Sequence, residues 1–103
     1  MSEVVKAQSL AELTEILNEN DSVVVNFSMS QGCNACMRLL PQFEKVAAQI
    51  DSVFVYVDVM SVHEVVDAYG IQSVPTVLHF RKGEPTVTLT GRTSAKLLRE
   101  LGN

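Results

Sequence analysis

Residues 23–27 read VVVNF. A strand with one wet face alternates apolar and polar side chains, whereas three consecutive β-branched residues suit a strand buried on both faces of a mostly parallel sheet. A central strand is therefore predicted here, with helices on either side of it. The rest of the chain supplies them. Ser9 followed by Glu12 has the form of a capping box, and Leu10, Leu13, Ile16 and Leu17 recur at helical spacing, which predicts an amphipathic helix over 9–18 ended by residues 18–21. After the central strand, Leu39, Leu40, Phe43, Val46, Ala47 and Ile50 predict a long helix from Cys33 to Ile50. Pro41 lies inside it, removing one ladder hydrogen bond and crowding the preceding turn, so a kink is predicted near residues 37–41.

Residues 53–59, VFVYVDV, form a second strand rich in β-branched and aromatic residues. Strand, helix, strand makes a βαβ unit with a right-handed crossover. Ser61 and Glu64 repeat the capping-box pattern ahead of Val62, Val65, Val66 and Tyr69, a short helix that Gly70 terminates. Thr76 to Phe80 is a third strand, and the turn Lys82-Gly83-Glu84-Pro85 leads into a fourth at Thr86 to Leu89. Ser94 caps a last helix bearing Ala95, Leu97, Leu98 and Leu101, and residues 3–7 add an edge strand. At 103 residues this amounts to one α/β domain, 1–103.

Twelve acids against eight bases leave a net charge of -4, and no Lys/Arg cluster exists to neutralise phosphates, so nucleic acid is excluded as a partner. The start MSEVVKAQSL lacks the basic-then-apolar pattern of an export signal. Apolar runs break within a few residues, short of the roughly 20 that a bilayer demands, which argues against a membrane partner. Cys33 and Cys36 are the chain's two cysteines. A loop that small makes a poor structural staple, and a reducing, cytoplasmic setting fits them best. Their spacing alone leaves three readings: a redox couple, part of a metal site, or two inert buried thiols. Metal would need further ligands, and His63 and His79 are not at finger-like spacing, although a cluster shared by two chains is conceivable. Each histidine has a plain alternative as a surface or core residue.

The stretch VVVNFSMSQGCNACM at 23–37, the helix with Pro41, VDV at 57–59, YGIQSVPT at 69–76 and Gly91 together resemble the thioredoxin family, over nearly the whole chain. The resemblance implies the thioredoxin fold, a central mixed sheet of four to five strands flanked by helices. It also implies a protein-disulfide oxidoreductase with no bound cofactor or metal, working as a monomer on protein disulfides with electrons from a reductase or a small thiol. A free thiol of pKa about 8.5 is mostly protonated at neutral pH, and a helix N-terminus favours its anion. Cys33 would therefore attack, and Cys36, one turn on, would resolve the mixed disulfide. The resemblance further makes Pro75 cis, its ring keeping metal from bridging the sulfurs, with Val74 pairing to an extended substrate and Gly91 leaving room for it.

Four features depart from the family pattern. Gly32 replaces a tryptophan, Asn34-Ala35 replaces Gly-Pro, and one extra residue separates Phe27 from Cys33. Asn26 replaces a buried aspartate thought to deprotonate the resolving cysteine, with Tyr56 where many members carry a lysine. An amide cannot take up a proton as a carboxylate does, so resolution should slow; a core amide is the plain alternative for Asn26. Met29 and Met37 serve either as an adaptable contact surface or as core filling. These departures support a rival reading, a thioredoxin-fold binding module of weak redox activity that holds a partner protein in the groove around Gly32, Val74 and Gly91.

Overall fold

A computed structural model describes residues 3–89. The helix expected after Ser94 and Gly91 lie outside the described residues. Within them the elements follow in the order β1 (Val4–Lys6), α1 (Leu10–Glu19), β2 (Ser22–Ser28), α2 (Asn34–Ala47), β3 (Val53–Asp58), α3 (Glu64–Tyr69), β4 (Thr76–Arg81) and β5 (Glu84–Thr88). The strands form one sheet ordered β1-β3-β2-β4-β5. β3 runs parallel to both β1 and β2, while β4 is antiparallel to β2 and β5. The sheet is mixed and β2 is its centre.

The unbroken valine run has the cause proposed for it. Val23, Val25 and Phe27 point to one side, where Leu13 and Leu17 of α1 and Val65 of α3 enclose them with Val55 and Val57. Val24 points to the other, against Leu39, Phe43, Val46 and Ala47 of α2 together with Phe54 and Val77. All four of these β2 side chains are fully buried. Rings add direction on each side. Phe43 meets Phe54 edge-on at 5.3 Å between centroids, and Tyr69 lies 5.6 Å from both Phe27 and Phe80.

The first cap forms: the Glu12 amide donates to Ser9 Oγ at 3.0 Å, while Glu12 Oε1 takes the amide of Gln8, one residue before the N-cap, at 3.1 Å. The second does not. α3 begins at Glu64 with His63 at its N-cap and no side-chain cap bond. Ser61 instead donates its hydroxyl to Asp58 Oδ2 at 3.4 Å, because its amide and that of Val62 fold back onto the Asp58 carbonyl in a turn. α2 stops at Ala47, short of the expected Ile50, whose amide still bonds to the Val46 carbonyl. It runs as one helix through Pro41. The β4–β5 hairpin turns on Lys82 and Gly83, with φ of 54° and 83°, as a two-residue primed turn requires, so β5 starts at Glu84 rather than at Thr86.

Candidate active site

β2 delivers the chain to one end of the sheet's central strand, and residues 29–32 carry it over to α2. Gly32 has φ of 75°, in the left-handed region, and a Cβ built on it would meet nothing within 4 Å. Backbone conformation, not lack of space, therefore selects glycine. The loop here turns through a conformation that a large side chain rarely adopts.

Cys33 is the N-cap of α2, with extended φ of -134°. Its Sγ accepts the Cys36 amide at 3.1 Å, one of the N–H groups that a helix start leaves without a backbone partner, and its carbonyl accepts the Met37 amide at 3.1 Å as the first bond of the helix ladder. Cys36 faces inward and is buried, whereas Cys33 is half-buried. The two are joined in a disulfide with Cα atoms 5.3 Å apart. Asn34 and Ala35 between them are exposed.

Across from Cys33 lies the α3–β4 loop. The Val74–Pro75 peptide is cis, and the Val74 carbonyl oxygen is 4.0 Å from Cys33 Sγ. The Thr76 hydroxyl bonds to the Ser73 carbonyl at 2.6 Å and closes this turn. Val74, Pro75 and the disulfide are therefore adjacent. Met37 is 64% exposed one residue beyond the second cysteine, which places it on the surface rather than in the core.

Asn26 lies inside β2, fully buried. Its Oδ1 accepts the Ser28 hydroxyl at 2.6 Å, while its Nδ2 has no partner among the described residues. Tyr56 stands beside it in register on β3. Burial, and next the negative charge of Asp58, hold the Tyr56 phenol above its ordinary pKa.

Sequence reasoning gave no role to Asp58, although VDV was among the matching motifs. It is 4% exposed, pairs in register with Ser28, and accepts the amides of Ser30 at 3.3 Å and Met60 at 3.0 Å on Oδ1. Burial pushes its pKa up, but hydrogen bonds from the Ser30 side chain, the two amides and the Ser61 hydroxyl outweigh that and hold it below the usual carboxylate range. The available signal was a carboxylate ending an otherwise apolar strand.

Neither histidine joins the cysteines. His79 bonds through Nε2 to Ser22 Oγ at 2.9 Å, at the start of β2, and His63 is exposed at the start of α3. Among the described residues, no group of three or more metal-capable side chains comes together.

Sheet order and bonded sulfurs define a class, the dithiol–disulfide oxidoreductases of thioredoxin fold. A family model described as Thioredoxin matches residues 4–102, and the chain belongs to the thioredoxin family. It is 39% identical over 92 residues to the thioredoxin of Mycoplasmoides gallisepticum, covering 88% of this chain and 91% of that protein. It is 33% identical to thioredoxin 1 of Plasmodium falciparum, with 86% of each covered. Among solved structures it resembles a mutant thioredoxin from Halobacterium salinarum with a TM-score of 0.89 at 29% identity, covering 96% of this chain and 88% of that one. The protein is a thioredoxin-like protein-disulfide oxidoreductase. The relatives and the joined cysteines do not favour the binding-module reading.

Proposed function

We propose that Cys33 is the attacking sulfur and Cys36 the resolving one. The observation that carries this is the Cys36 amide aimed at Cys33 Sγ at 3.1 Å. In the reduced protein the same N–H, with the helix dipole behind it, favours the Cys33 thiolate. That thiolate attacks one sulfur of a substrate disulfide, forming a mixed disulfide and releasing the first substrate thiolate. Cys36, having lost its proton, attacks Cys33 Sγ and frees the second substrate thiolate. Two electrons have left the pair, and the Cys33–Cys36 bond remains. A reductase or small thiol returns them, with no bound cofactor.

Val74 and Pro75 hold an extended substrate segment beside Cys33, and Gly32 and Gly91 leave it room. The substrates are protein disulfides, handled by a cytoplasmic, single-domain monomer with no nucleic-acid or membrane partner. No helix among the described residues is long and apolar enough to cross a membrane.

Turbidity from insulin reduction by dithiothreitol tests this reading. The parent protein should accelerate it, Cys33→Ser should fall to the dithiothreitol background, and Cys36→Ser should accumulate a mixed disulfide with substrate. Parent activity at background, or Cys33→Ser at parent activity, would refute it.

A further inference from the structure

We propose that Asp58 is a positioning residue for the redox pair: its carboxylate holds the loop that leads into Cys33 against the loop that follows β3, and so keeps Cys33 where Cys36 reaches it. This rests on the exchange reading given above.

The loop between Phe27 and Cys33 turns through Gly32, an exposed glycine with φ of 75° at which a Cβ would meet nothing within 4 Å. Such a loop needs an anchor. Ser30 lies in it, three residues before Cys33, and its amide donates to Asp58 Oδ1 at 3.3 Å. The same oxygen takes the Met60 amide at 3.0 Å, and Oδ2 takes the Ser61 hydroxyl at 3.4 Å. The Val59 amide adds a backbone tie to the Ser28 carbonyl at 2.9 Å. Among the described residues Asp58 is the one buried carboxylate. Hydrogen bonds to an ionised acceptor are the strong kind, and a buried carboxylate keeps them because their loss would leave it desolvated and unpaired.

What the clamp controls is closure of the disulfide. An N-cap sulfur that wanders meets Cys36 less often, which lowers the effective concentration of one thiol at the other and disfavours the intramolecular bond relative to two glutathione adducts. It also misplaces the nucleophile beside Val74.

Asp58→Ala and Asp58→Asn separate this role from general stability. The asparagine amide oxygen still accepts the Ser30 and Met60 amides, whereas alanine accepts nothing. Expected for alanine is a kcat/KM for insulin reduction about tenfold below the parent, with a glutathione equilibrium moved about threefold or more toward the dithiol. Asparagine should restore both to within about twofold. An alanine variant matching the parent in both, or an asparagine variant falling as far as alanine, overturns the proposal.

Should the alanine variant not fold, amide hydrogen exchange in the parent protein decides. Ser30 should be protected well beyond an open loop, and exchange at the open-loop rate overturns the clamp. The glutathione equilibrium and the exchange rate need no turnover, so a parent protein inactive on insulin would overturn the exchange reading while these two still judge Asp58.

Discussion

Asn26 is a buried polar side chain with one of its two polar atoms hydrogen-bonded among the described residues. Its oxygen holds the Ser28 hydroxyl, its nitrogen has no described partner, and water does not reach it. A buried donor left unpaired costs on the order of 1–3 kcal/mol. An aspartate here would still receive the Ser28 hydroxyl, but burial would push its pKa upward, toward the neutral range where a general base works best. Asn26→Asp is therefore expected to raise insulin reduction at neutral pH by about tenfold. Its stability in urea should fall by about 1–3 kcal/mol, because a charge replaces an amide in a dry place. An unchanged or lower rate would show that Asn26 is only a core amide.

At the scale of elements, α2 matters most, since it presents both sulfurs. What seats it on the sheet is a stripe spaced by three and four residues: Cys36, Leu39, Phe43, Val46 and Ala47 are all buried. Phe43 is the largest member, fully enclosed and edge-on to Phe54. Phe43→Ala should cost about 3–5 kcal/mol in urea unfolding, and a loss below about 1 kcal/mol would mean that α2 is held otherwise.

Leu39, Phe43, Val46 and Ala47 of that stripe were legible from spacing alone, as was the central valine run, because each is a local pattern that burial enforces; the Ser9 cap was legible from its Ser-x-x-Glu form. Cys33, Cys36, Val74 and Pro75 were legible through a shared motif rather than through periodicity. Asp58 was not, for its partners Ser30, Met60 and Ser61 are ordinary residues whose meaning comes from two loops meeting in space. The second capping box misled for the same reason: Ser61 donates its hydroxyl to Asp58 instead of accepting an amide at the helix start.

At the scale of the whole molecule, two networks at opposite ends of β2 tie strands together and respond to acid differently. At one end Ser22 Oγ bonds to His79 Nε2 at 2.9 Å and to Ser52 Oγ at 2.8 Å, linking β2, β4 and the approach to β3. Burial, then the charge of Arg81, lowers the His79 pKa. The fold thus prefers neutral histidine, so this contribution is whole above about pH 6.5 and declines as pH falls from there toward the folded value. At the other end Asp58 has a lowered pKa, so its contribution persists above about pH 3.9 and fades only below that. Net charge works the other way in the upper window. The chain carries -4 at pH 7 and approaches neutrality near its pI of about 5.0, which relieves self-repulsion on acidification. A fall in thermal midpoint between pH 7 and pH 5.5 must therefore come from a specific group. That fall is expected in the parent protein and should vanish in His79→Gln, whereas the second fall below about pH 4 should remain in that variant and shrink in Asp58→Asn. A parent midpoint flat from pH 7.5 to 5.5 would mean that the Ser22–His79 bond tolerates the imidazolium, and that only the carboxylate end of β2 senses acid.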